Sequence, residues 1–157
     1  MRKKTVIIAL VLLAAIAMAG FADTYGIGAA FSLNALGGLP SSALLSIKVP
    51  QLPILWGVGA NLGSGNFNLA LTADWWLFQQ NLVSFLNIYA GPGLYLTLPS
   101  NFEIGARIPV GINAYPLDFL ELFAEIALAH PFWTEGGLVI PSFRLQAAFG
   151  FRFWFDT

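Results

Sequence analysis

The C-terminal stretch constrains this chain more tightly than any other part of it. Phe143, Leu145, Ala147, Phe149, Phe151, Phe153 and Phe155 share one parity, while Arg144, Gln146, Ala148, Gly150, Arg152 and Trp154 occupy the other. Side chains of a β-strand point alternately to opposite faces, so this stretch has one wholly apolar face and one small, polar or cationic face. A helix would scatter the same residues around its circumference. Composition decides which face is outside. Hydrophobic residues make up 57% and charged residues 10% of the 157, against about 25% charged in an ordinary soluble domain. So few polar side chains cannot clothe an aqueous surface. The apolar face is therefore expected against lipid and the polar face inside.

The N-terminus reads as an address. Arg2, Lys3 and Lys4 precede the apolar run Thr5 to Met18, and small residues follow at Ala17, Ala19, Gly20 and Ala22. This order is that of a secretory signal peptide, and the run is shorter than the roughly 20 residues of a spanning helix. The expected division is residues 1–22 as signal peptide and 23–157 as the mature domain. With no cysteine, a lipoprotein anchor, a disulfide framework and thiolate–metal sites are excluded.

Lipid admits only helices and closed barrels, because backbone hydrogen bonds must be satisfied internally. The uncharged stretch Trp75 to Phe102 fails as a helix, since Gln79, Gln80, Asn81 and Asn87 interrupt it and Gly91-Pro92-Gly93 would break the remainder. Period two orders the whole mature chain. Tyr25, Ile27, Ala29, Phe31 and Leu33 alternate with Thr24, Gly26, Gly28, Ala30 and Ser32. Turn-forming residues at 34–40, 50–53, 63–66, 79–81, 99–101, 116–119 and 129–141 separate runs at 24–33, 42–49, 54–62, 67–78, 82–98, 102–115, 120–128 and 142–155. The fold predicted is all-β, an eight-stranded antiparallel up-and-down transmembrane barrel. An even strand count brings both termini to one side, the periplasmic one. Pro92 and Pro109 fall inside strands, where a closed barrel offers no edge to excuse a missing donor, so a bulge is expected near each.

Charge placement follows the same parity. With the richer apolar parity of each strand outward, the inward set holds Lys48, Asp74, Glu103, Arg107, Glu121, Glu125, Arg144 and Arg152. A one-residue slip would turn all of these toward lipid, where Arg or Lys near the midplane costs about 2–4 kcal/mol. An eight-stranded barrel has room only for side chains in its lumen, so an interior ion-pair network is expected. The mature chain has four basic and eight acidic residues, a formal net charge of 4 − 8 = −4, which excludes nucleic acid as a partner. Aromatic girdles are expected at the headgroup levels, with Tyr25, Trp56, Trp75, Phe153 and Phe155 at the periplasmic rim and Phe31, Phe67, Phe102 and Phe143 at the outer rim.

This pattern resembles the small eight-stranded outer-membrane barrels of the OmpA and OmpX type. The closing Gly150-Phe151-Arg152-Phe153-Trp154-Phe155 is similar to the C-terminal signal read by the barrel-assembly machinery, a Gly followed by two alternating aromatics, here Phe153 and Phe155, with Asp156 and Thr157 beyond them. The stretch from Gly105 through Asn113 to Glu121 is also similar to small spirochaetal barrels. The resemblance implies a lumenal cluster of the kind formed by Glu103, Arg107, Glu125 and Arg144. It implies no catalytic residue.

The function expected is that of a non-enzymatic outer-membrane barrel with a plugged polar lumen, structural or surface-contacting. An open aqueous channel needs roughly 16 strands. The longest connection, Ala129 to Pro141, carries His130, Phe132, Trp133 and Glu135 and is unusually apolar for a solvent loop. It either contacts a surface protein or host component, or extends its flanking strands into the outer leaflet. Other readings are a narrow channel, a lipid-modifying enzyme using His130, Glu135 and Ser142, a soluble periplasmic barrel and a helical membrane protein. One His and scattered carboxylates give no metal-ligand spacing, and no cofactor is expected.

Overall fold

A computed structural model describes residues 24–36, 41–49, 52–62, 68–99, 102–139 and 142–156. The segment read as a signal peptide and Phe67 lie outside them. The described residues form β1 (Thr24–Leu36), β2 (Ser41–Lys48), β3 (Ile54–Leu62), β4 (Asn68–Trp75), β5 (Phe78–Val83), β6 (Leu86–Ala90), β7 (Gly93–Pro99), β8 (Glu103–Leu117), β9 (Leu120–Thr134), β10 (Gly137–Leu138) and β11 (Arg144–Asp156).

Every pairing is antiparallel, and the pairings close a ring. β1, β2, β3 and β4 follow one another, β4 pairs with β7, β7 and β6 pair with β8, β8 with β9, β9 with β11, and β11 with β1. β5 prolongs β4 and β6 leads into β7, so the ring is an eight-stranded barrel. Closure removes the exposed sheet edge that an open apolar sheet would present. Thr24 pairs with Asp156 at what is termed here the terminal end, which also carries the tight turns at Ser84–Phe85 and Asp118–Phe119. The opposite, loop end carries the connections after β1, β3, β7 and β9.

Burial alternates strictly along the longest strands. On β8, Ile104, Ile108, Val110 and Ile112 are exposed while Gly105, Arg107, Pro109, Gly111 and Asn113 are buried; on β9, Leu122, Ile126 and Leu128 are exposed while Glu121, Phe123, Glu125 and Ala127 are buried. The inside is therefore the polar face. From Ile104 to Ala114 a strand rising about 3.4 Å per residue covers about 34 Å, and a tilt of about 40° reduces this to about 26 Å, the height of the apolar band of an outer-membrane barrel.

A flaw interrupts the wall where β4 and β5 meet β6 and β7. Asp74 pairs with Gly93 and Phe78 with Ala90, so Trp75, Trp76 and Leu77 face only Gly91 and Pro92. This bulge lies at the level expected from Gly91-Pro92-Gly93, with the extra residue on the partner segment. Trp75 N donates to Pro92 O at 2.8 Å, so the side of Pro92 that lacks an N–H faces the bulge. A Cβ on Gly91 would overlap the Trp75 carbonyl oxygen, which makes glycine obligatory at this crossing.

The bulge expected at Pro109 is absent. The β8–β9 register runs unshifted through Pro109↔Ala127, and it shifts instead at Ile104/Gly105, opposite Pro131 to Trp133, and at Ala114/Leu117 beside the terminal turn. Pro109 is tolerated because its hydrogen-bonding side faces Gly91, whose N–H donates to Pro109 O at 3.3 Å. Only the return bond of that pair is lost, at a place where the neighbouring ladder is already broken.

Two expected turns are also corrected. Gln79, Gln80 and Asn81 lie inside β5, and the chain reverses at Ser84–Phe85. Asn81 Nδ2 donates to Asn87 Oδ1 at 3.0 Å across the hairpin and to Val83 O at 2.9 Å. All of β5 is exposed, so amides cost nothing there. The connection predicted at 129–141 is shorter, since β9 continues to Thr134 and β10 returns on it with Gly137↔Thr134 and Leu138↔Trp133. The reversal at Glu135–Gly136 is made by Gly137 at φ 104°, a conformation glycine adopts without strain.

Candidate functional site in the barrel lumen

The lumenal side chains of β4, β6, β7, β8, β9 and β11 form three tiers. Nearest the loop end, Arg144 of β11 reaches past β9 to Glu103 of β8, with Nη1–Oε1 at 2.6 Å, and Tyr95 of β7 donates its hydroxyl to the same oxygen at 2.7 Å. This pair is half-buried, at 19% and 14% exposure.

The middle tier is buried. Arg107 of β8 pairs with Glu125 of β9 and, at 3.1 Å through Nε, with Asp74 of β4. The Asp74 contact is one of charge, because neither atom has hydrogen-bond geometry. Arg107 Nη1 also donates to Gln146 Oε1 at 3.1 Å, and the Tyr89 hydroxyl donates to Glu125 Oε2 at 2.9 Å.

The tier at the terminal end centres on Glu121. Arg152 Nη1 donates to both its oxygens at 3.1 and 3.0 Å, Asn113 Nδ2 donates at 2.6 Å and Trp154 Nε1 at 3.1 Å. Glu121 and Arg152 are 0% exposed. Lys48 has no ion pair within 4 Å among the described residues; its Nζ lies 3.6 Å from the centroid of the Trp76 ring and 5.6 Å from that of Trp154. The other face of this aromatic group is Tyr89, stacked on Trp76 at 3.8 Å, and the Arg152 guanidinium lies 4.0 Å from the Phe123 centroid. Cation–π contacts of this kind strengthen when desolvated.

All eight charged residues singled out from the sequence point into the barrel, and seven of them join the three tiers as ion pairs. Four cations, Lys48, Arg107, Arg144 and Arg152, face four anions, Asp74, Glu103, Glu121 and Glu125, so the lumen is formally neutral. A buried charge demands this balance, because an unpaired ion in low dielectric costs several kcal/mol. Asp74 joins from β4, across β7 from its partner Arg107 on β8. Sequence reasoning did not single out Trp76, Tyr89, Asn113 or Trp154. The signal was available in parity: Trp76 stands two residues after Asp74, and Trp154 two after Arg152.

Outside, Tyr25, Trp56, Trp75, Phe153 and Phe155 surround the terminal end, with Tyr25 and Phe155 rings 5.6 Å apart. Phe102 and Phe143 stand at the loop end. Phe31 does not: it pairs with Phe149 and Ala43 well inside β1. Gly150 of the closing motif faces inward and Phe153 and Phe155 outward. His130, Phe132 and Trp133 belong to β9 rather than to a loop, and Glu135 is in the turn. His130 packs on Phe132 and Phe143 at 5.9 and 5.7 Å, and its Nδ1 accepts the Ser142 main-chain N–H at 3.3 Å.

The described residues contain no group of three or more His, Cys, Asp or Glu arranged to hold a metal. No protein-family model and no curated protein matches the chain. Among solved structures, the chain is similar to the N-terminal β-barrel domain of Pseudomonas aeruginosa OprF, with 15% identity, a TM-score of 0.59, and coverage of 85% of this chain and 98% of that one. It is also similar to Neisserial surface protein A, with 13% identity, a TM-score of 0.47, and coverage of 83% and 94%. The OprF likeness shows the fold, a small antiparallel β-barrel.

Proposed function

We propose that this chain is an exported, integral outer-membrane barrel, non-enzymatic and closed to bulk flow, whose working surface is the strand-extended loop end around Phe132, Trp133, Leu138 and Phe143. The observation that carries the reading is the inversion of polarity: all four cations of residues 23–157 and four carboxylates are enclosed, and large aliphatic and aromatic side chains stand exposed around the wall. An exposed apolar surface of that extent is stable only under lipid. Residues 1–22 serve as the export signal, both termini are periplasmic, and Gly150, Phe153 and Phe155 present the chain to the assembly machinery.

At the loop end Leu138 is 81% and Phe143 64% exposed. The same corner holds Phe132 and Phe143 against His130, with Trp133 exposed beside them, giving an aromatic patch that seats in the outer leaflet or against a surface partner. His130 supports this structural use, since its Nδ1 accepts a backbone N–H and two rings flank it. A base activating a nucleophile would instead receive a hydroxyl proton. Electrophoresis of the detergent-solubilised membrane fraction with and without boiling tests the reading. A folded barrel migrates apart from its boiled form; coincident bands, or recovery in the soluble fraction without detergent, overturn it.

A further inference from the structure

The ion-paired tiers occupy one side of the lumen, and the opposite wall is lined by small side chains. There, a cavity of about 20 Å³ is bordered by Ser32, Ser46, Thr72, Asp74 and Arg107, and a second of about 30 Å³, nearer the loop end, by Ser42, Thr97 and Gln146; Leu44 and Thr72 line both. A water needs about 10–15 Å³ of such space and two to four polar partners. The first cavity meets both requirements. Ser32, Ser46, Asp74 and Arg107 line it, all at most 3% exposed; both Ser Oγ atoms lack a hydrogen-bond partner, as do Asp74 Oδ1 and Arg107 Nε, which meet only as charges at 3.1 Å. Native proteins satisfy nearly all such groups. Toward the terminal end stands Trp76, 5% exposed, its ring clamped between Lys48 and Tyr89 and its main-chain N–H donating to Pro53 O at 2.6 Å.

We infer that the lumen binds a dead-ended column of water, admitted at the loop end along the β1–β4 wall, floored by Ser32, Ser46 and Asp74, and sealed at the terminal end by the Trp76 indole. The inference rests on the barrel alone and stands whatever the loop end contacts. It assigns Trp76 the role of a plug, and the bulge at Trp75–Leu77 is the device that holds the ring inside.

The absence of native cysteine makes single-thiol probing clean. Ser42→Cys and Ser46→Cys are prepared with Trp76 or with Trp76→Ala, their folding is checked by the heat-dependent band shift, and silver ion, which replaces the thiol proton, is followed by mass. Ser46→Cys is expected to react within about tenfold of Ser42→Cys, equally in both backgrounds. A site reached only through local unfolding reacts more than about 100-fold slower, and that result, or reaction only with Trp76→Ala, overturns the column from the loop end. In planar bilayers Trp76→Ala is expected to give discrete conductance steps, while the native chain and Trp76→Phe stay silent. Silence from Trp76→Ala, or equal conductance from the native chain, overturns the seal.

Discussion

Replacing Arg152 by Met measures what the enclosed charges are worth. Arg152 and Glu121 are both wholly buried, and Arg152 Nη1 bonds both carboxylate oxygens. Its loss leaves the Glu121 carboxylate with the Asn113 and Trp154 donors at 2.6 and 3.1 Å. Breaking a buried pair from one side costs about 3–5 kcal/mol. The two remaining donors and nearby Lys48 place the expected cost at the lower end, about 3 kcal/mol. With a denaturant slope of about 1–3 kcal/mol per molar, the urea midpoint should fall by about 1–3 M. Glu121→Leu added to Arg152→Met removes the stranded charge, so the double variant should recover about 2 kcal/mol of that loss. Urea unfolding in detergent, followed by tryptophan fluorescence and by the heat-dependent band shift, reads both variants. A single-variant cost below about 1 kcal/mol, or a double variant no more stable than Arg152→Met, would refute the idea that lumenal charge is stable only as matched pairs.

The outer wall gives a second expectation. Ile126 is 55% exposed midway along β9, so Ile126→Arg should lower the stability of the barrel in lipid vesicles by about 2–4 kcal/mol; an unchanged unfolding midpoint in vesicles would place that face away from lipid. Phe155→Ala should reduce the amount of protein assembled in cells while leaving the refolded barrel in detergent nearly as stable, and equal loss in both settings would assign Phe155 to packing rather than to assembly.

The architecture was legible because two unrelated properties share one period. In β11, Phe149, Phe151 and Phe153 alternate with Gly150 and Arg152, so hydrophobicity and charge name the same face. Ends and irregularities were less legible. Gln79–Asn81 carry turn chemistry, yet a strand exposed on both faces, as β5 is, gives amides no reason to leave it. The stretch from Ala129 to Pro141 was expected to connect β9 onward, but the register shift at Pro131 absorbs the missing donor and the strand runs on to Thr134. Pro109 needed no bulge because its vacant side meets the flaw at Gly91. Such outcomes depend on which strand lies alongside, and a linear pattern does not carry that. For the same reason Asp74 could be placed inside but not matched to Arg107 across β7. Trp76 was hidden by its neighbour: two adjacent tryptophans point to opposite faces, and only the outward one suits a girdle.

The order in which the ion pairs can form bears on how such a barrel is built. Arg107–Glu125 and Arg152–Glu121 join neighbouring strands, β8 to β9 and β9 to β11, while Arg107–Asp74 spans β7. An unclosed sheet of just β8, β9 and β11 already neutralises three of the lumenal acids when Glu103–Arg144 is included. The C-terminal third of the chain can thus discharge itself while water still reaches it, and later closure by the N-terminal strands brings in only Asp74 and Lys48. Growth from the C-terminus spares the folding chain the most expensive intermediate available to it, a solitary guanidinium shut inside a dry cylinder.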